Sequence, residues 1–143
     1  MAYRRPEVNW KNQLNENELK QYEGFVYRIT EKSTGKSYIG KKSYWSRTSK
    51  AVPGRKNRQR FVNESDWKKY TSSNDELKKL VKEKGPDEFE FEILKHCADK
   101  RRLTYYELYY QIKEDVFHAK LDNGEYKYYN DNLLGKFYRK HLD

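Results

Sequence analysis

The most regular stretch of the chain is Glu88-Phe89-Glu90-Phe91-Glu92-Ile93, where charged and apolar residues alternate strictly. A period of two predicts a strand with one buried face. Two further runs, Gly24 to Thr30 (GFVYRIT) and Ser37 to Lys42 (SYIGKK), are rich in aromatic and β-branched residues and flank the polar segment Glu31 to Lys36 with its Gly35. That arrangement predicts a β-hairpin. Leu77, Leu80 and Val81 recur at helical spacing. Ser73 with Glu76 three residues later has the form of a capping box, Asp75 stands in the first turn, and Lys82, Lys84 and Gly85-Pro86 mark the end. Leu103, Tyr106 and Tyr110 give a second helical stripe, predicting a helix from Asp99 to about Phe117.

The remaining segments are less periodic. Residues 1–23 form an N-terminal extension in which Trp10, Leu14 and Leu19 offer the apolar side of a short helix, against the weak helix formers Asn12, Asn15 and Asn17. Residues 43–63 carry Pro53-Gly54 and little periodicity, predicting a loop or a loop with one short helix. Asp122-Asn123-Gly124 is a tight turn leading to Tyr126–Tyr129, and residues 134–143 form a tail. The order β-β-α-β-α predicts an α+β fold, a small, mainly antiparallel three-stranded sheet flanked by helices, with its domain over residues 24–133.

Composition sharpens this picture. At 143 residues the chain has the length of one domain. Leu, Ile, Val and Phe are scarce and the formal charge is +9, a balance that alone suggests disorder, but 14 Tyr and 3 Trp supply the large buried surfaces that disordered chains lack. The charge is concentrated. Residues 41–60 contain Lys41, Lys42, Arg47, Lys50, Arg55, Lys56, Arg58 and Arg60 and no acid, and the rest of the chain is nearly balanced. Such a patch is the footprint of a polyanion binder, although a solvated charge run has the same composition. Tyr44 and Trp45 inside it favour nucleic acid, and Pro53-Gly54 interrupts any membrane-surface helix. The single cysteine, Cys97, and the lack of any long apolar run or leader predict a cytoplasmic protein without a membrane partner.

Several familiar chemistries are excluded. Gly35-x4-Gly40-Lys41 approaches a phosphate-binding loop, but Lys42 stands where Ser or Thr is needed and the segment lies in a hairpin. His96, Cys97, His118 and His141 lack zinc-type spacing. What remains is a pair of tyrosines eleven residues apart on the two hairpin strands, in Phe25-Val26-Tyr27 and Tyr38-Ile39-Gly40. With Tyr38 to Lys42, Ser65 to Ser73 (SDWKKYTSS), Tyr106-Glu107 with Gln111, and Tyr129-Asn130, the set resembles the GIY-YIG nuclease family over roughly residues 24–133, in the compact branch found in bacteriophage homing-type endonucleases. Phe25 replaces the first glycine of the family's tripeptide, with Gly24 just before it.

The resemblance implies a DNA endonuclease that uses Mg2+, with Mn2+ as a substitute, and leaves 5′-phosphate and 3′-hydroxyl ends on DNA, double-stranded in the simplest case. It implies that Glu107 holds the ion, that Tyr27 acts as general base on water, and that Tyr38 positions water or phosphate. Lys42 or an arginine is then needed to favour the phenolate, because a free phenol titrates near 10. Arg47 is the candidate for neutralising transition-state charge, and Asn130 for the family's late asparagine. The basic residues Lys41, Lys42, Arg47, Lys50, Arg55, Lys56, Arg58 and Arg60 are the expected DNA contacts, and Gly40 leaves space for a phosphate. Tyr27 and Tyr38 share a sheet face only if the hairpin pairs positions whose numbers sum to an odd value. The residues alone also allow sheet tyrosines that only pack a core, and a Glu107 that caps a helix from Thr104. One active site cuts one strand, so a double-strand break calls for a homodimer, a higher homo-oligomer or two nicks. A non-catalytic nucleic-acid-binding module, and a regulator of an acidic protein, are the alternatives.

Overall fold

The computed structural model, described over residues 3–142, is built on a four-stranded sheet. Its strands are β1 (Trp10–Lys11), β2 (Gly24–Glu31), β3 (Ser37–Ser43) and a later strand, Phe89–Cys97. Between them lie a separate ribbon of β4 (Trp45–Lys50) and β5 (Gln59–Glu64), then helix α1 (Asp75–Lys84). Phe89–Cys97 is therefore β6, followed by helix α2 (Lys100–Lys113) and a small pair, β7 (Asn132–Leu133) and β8 (Phe137–Tyr138). The sheet order is β1-β6-β2-β3, with β1 parallel to β6 and the other pairs antiparallel. The α+β class follows the sequence, but the sheet gains a fourth strand.

That strand comes from the supposed extension. Trp10 is 2% exposed and meets Phe25, Tyr27 and Phe91 edge-on at ring-centroid distances of 5.0, 5.4 and 5.3 Å. Val8 and Leu19 are buried with it, so residues 8–23 belong to the domain. The helix expected on Trp10, Leu14 and Leu19 is absent: Trp10 is extended, Asn12 takes a positive φ of 70° that ends any helix, and Leu19 sits in a 3-10 turn.

Residues 43–63 are not a loop. β4 and β5 pair antiparallel from Trp45↔Glu64 to Lys50↔Gln59. No apolar alternation betrays them because most of the ribbon is exposed on both faces. α1 is capped by Asn74, whose side chain accepts from the Leu77 amide at 2.9 Å, one residue after the expected Ser73. α2 starts at its Asp99 cap as expected but stops at Lys113, and Glu107 lies within it rather than capping it. The C-terminal segment is tied down as well. Arg139 donates to the carbonyls of Val116 and Tyr128, both at 2.8 Å, and its guanidinium lies over the Tyr126 ring.

The hairpin register pairs Tyr27 with Gly40, Phe25 with Lys42 and Ile29 with Tyr38, which meets the odd-sum condition. β6 carries one extra residue against β2, since Val26 faces Lys95 and Tyr27 faces Ile93. The sheet divides two cores. One, around Trp10, Phe25, Tyr27, Trp67 and Phe91, is closed by Leu77 and Val81 of α1. The other, with Val26, Ile39 and Phe117, is closed by Leu103 of α2.

Candidate active site

The edge of β3 forms the floor of a cleft of about 740 Å³, walled by α1, α2 and residues 129–135. Tyr38 enters it from the α1 side of the sheet. Glu107 and Gln111, one turn apart on α2, enter from the other side, so carboxylate and phenol meet around the free edge of the strand. The Tyr38 hydroxyl is 3.1 Å from the Ser73 hydroxyl, which the Asn74 cap leaves unused by the helix.

Asn130 and Gln111 hold that edge in place. Asn130 is 3% exposed; its Oδ1 accepts from the Ile39 amide at 3.0 Å and its Nδ2 donates to the Ile39 carbonyl at 2.8 Å. It does for β3 what a neighbouring strand would do. Gln111 donates to the same carbonyl at 3.0 Å, leaving its Oε1 without a hydrogen-bond partner.

Tyr27 lies beneath this floor. It is fully buried, its ring centroid is 6.2 Å from that of Tyr38 and 5.8 Å from that of Tyr70, and its hydroxyl has no hydrogen-bond partner. Burial, reinforced by Tyr70, Tyr38 and Glu107, pushes its phenol well above the ordinary value. Gly40 is open for this phenol rather than for a phosphate: a Cβ there would stand 2.6 Å from the Tyr27 oxygen. Tyr38 is also raised, by burial, with Ser73 acting against the shift.

The expected cations are each paired with a carboxylate. Lys42 pairs with Asp66 at 2.8 Å and lies 4.4 Å from the Tyr70 ring centroid. Arg47, on β4, donates to both oxygens of the buried Glu23 at 3.0 and 2.7 Å and does not line the cleft. Neither Lys42 nor Arg47 is among the groups that dominate the shift of the Tyr27 phenol. Among the described residues the basic side chain on the cleft wall is Lys41, whose Nζ donates to Thr104 at 2.8 Å. Lys50, Arg55, Lys56, Arg58 and Arg60 are exposed on the ribbon and its tip.

Burial raises the Glu107 carboxyl, and Lys41 partly offsets it. Among the described residues no three His, Cys, Asp or Glu side chains converge on a metal position. Glu107 shares the cleft lining with Asp75, Glu76 and Asp131, and acids that do not close into a cage suit a hard divalent cation that keeps most of its waters, not a caged zinc or calcium ion. Tyr70, Ser73 and Gln111 lie inside the motifs of the sequence but carry no expected place in the site, Ser73 being expected only as a helix cap. Their meeting depends on the packing of α1 and α2 against opposite sides of β3.

The family model described as "Putative endonuclease segE, GIY-YIG domain" matches residues 8–133. Its start coincides with the buried Val8 rather than with Gly24. No curated protein and no solved structure gives a significant match. No described helix is long and apolar enough to cross a membrane.

Proposed function

The chain belongs to the GIY-YIG endonuclease family, and from that premise we propose that it is a magnesium-dependent DNA endonuclease leaving 5′-phosphate and 3′-hydroxyl ends, of the bacteriophage homing type. The observation that carries the proposal is the meeting of Tyr38 and Glu107 in one cleft around the edge of β3, with Tyr27 directly below. Glu107 would hold the ion, with Mn2+ as a substitute. When bound, such an ion supplies charge compensation to the phosphate and the leaving oxygen.

The chain's own residues have separable tasks. Lys41 neutralises the entering phosphate. Tyr38, the member of the phenol pair that opens on the cleft, contacts and orients the attacking water, supported by Ser73. Tyr27 backs it from below, and its high proton affinity favours a hydrogen-bonding role over that of a standing phenolate base. Asn130 and Gln111 fix the strand that carries Tyr38.

The test is nicking of supercoiled plasmid by wild type, Glu107→Ala and Tyr38→Phe, with magnesium or with chelator. The expected result is wild-type nicking that chelator stops and that Glu107→Ala loses while DNA binding survives. Metal-independent binding with no cleavage would instead support a non-catalytic module.

A further inference from the structure

β4 and β5 form a two-stranded ribbon outside the main sheet. An isolated ribbon with little buried surface is marginal in water. This one is fastened at its base: Trp45 Nε1 donates to the Tyr22 carbonyl at 2.8 Å, Arg47 grips Glu23, and Trp67 Nε1 donates to Glu64 at 3.1 Å. Beyond that base both faces are free. Cross-strand partners share a face, so the register assigns every side chain. Arg47↔Val62 and Ser49↔Arg60 lie on one side, joined by Arg58, whose guanidinium donates to the Ser49 hydroxyl and carbonyl at 3.0 and 2.6 Å. Ser46↔Asn63, Thr48↔Phe61 and Lys50↔Gln59 lie on the other, with the Lys50 ammonium 5.7 Å from the Phe61 ring centroid.

The geometry points to this ribbon as the sequence-reading element of the protein: it enters the major groove of duplex DNA with the arginine face on phosphates and the hydroxyl and amide face on base edges. The inference rests on the DNA reading above. The major groove admits a two-stranded ribbon, and Ser, Thr, Asn and Gln are side chains that pair with base edges there. Arginines on the opposite face suit backbone positioning. The occupant must be a polyanion, because residues 47–60 of the ribbon hold six cations and no acid.

Reach sets a distance. Five residues separate Gly40 from Trp45 and span at most about 18 Å, and a six-residue strand adds roughly 20 Å. The bases read therefore lie within about 11 base pairs of the cut bond, at ~3.4 Å each.

The test is selection of bound duplexes from a random library by the full chain in chelator, so that nothing is cut. Wild type is compared with Thr48→Ala/Gln59→Ala and with Arg58→Ala/Arg60→Ala, after melting curves establish that both variants fold. The expected result is a preferred sequence in wild type that the first variant flattens by about 5- to 150-fold per position. The second variant should keep the preference and lower the slope of log affinity against log salt by about 2. Replacing purine N7 by carbon, which alters only the major-groove edge, should weaken the wild-type preference. A wild type without preference, or a preference unmoved in the first variant, overturns the inference. Selection without metal-dependent nicking would sink the nuclease reading alone, and nicking without a ribbon-dependent preference would sink this one alone.

Discussion

The Tyr27 hydroxyl occupies the space that a side chain on Gly40 would fill, with a Cβ at position 40 falling 2.6 Å from the phenol oxygen. Trp10 packs against the Tyr27 ring, so it has no room to retreat. Gly40→Ala should cost about 1–3 kcal/mol by overpacking and lower the melting midpoint by roughly 3–10 °C. Nicking should fall by more than about tenfold through displacement of the phenol pair. Differential scanning calorimetry and a plasmid assay check both, and an unchanged midpoint would contradict the close approach.

Tyr27→Phe should separate function from stability. The hydroxyl is buried without a hydrogen-bond partner, so its removal should leave stability unchanged or raise it by up to about 2 kcal/mol. Loss of its support beneath Tyr38 predicts a fall of about 100-fold in nicking, through misplacement of that phenol. A destabilised variant would mean that the hydroxyl makes a structural bond.

Glu107 gives a pH signature. Burial raises its carboxyl, so the folded state holds that proton more tightly than the unfolded chain. The resulting stabilisation is complete below the ordinary carboxylate pKa and disappears as pH rises through the folded-state value. At neutral pH Glu107→Gln should therefore be more stable than wild type in the absence of metal, and the gap should close in acid. Magnesium should raise the wild-type midpoint and leave that of Glu107→Gln unmoved. Thermal melts across pH, with and without metal, test both signs.

Arg47 should behave as a fastening, not as a transition-state group. Burial acts to raise Glu23, but Arg47 and Ser43 outweigh it and hold the carboxyl below its ordinary value. The stability this provides is present above the ordinary carboxylate pKa and is lost as pH falls through the lowered one. Arg47→Ala should lower the melting midpoint at pH 7 but not in acid, and should reduce nicking by less than about tenfold. A loss of ~1,000-fold or more, the scale of an arginine that stabilises transferring phosphate, would return Arg47 to the catalytic role.

The hairpin is legible because Phe25, Val26, Tyr27 and Ile29 advertise a buried strand; the stripe of Leu103, Tyr106 and Tyr110 marks the helix that carries Glu107, but its role comes from the family resemblance alone. Trp10 was not legible as a strand, since a two-residue parallel pairing leaves no period to detect. The ribbon escaped for the opposite reason: it has six residues on each side, but exposure on both faces erases the apolar alternation. The carboxylate partners of Lys42 and Arg47, Asp66 and Glu23, lie 24 positions away in each case. Their ion pairs arise from tertiary packing, and local sequence carries no trace of them.

The ribbon's outer half shares no core side chain with the sheet. Substitutions at Thr48 or Gln59 can therefore accumulate without disturbing the hydrolytic centre or the Trp10 cluster. Relatives with diverged specificity should differ most at these positions, and a transplanted hairpin should carry its preferred target into a new host scaffold.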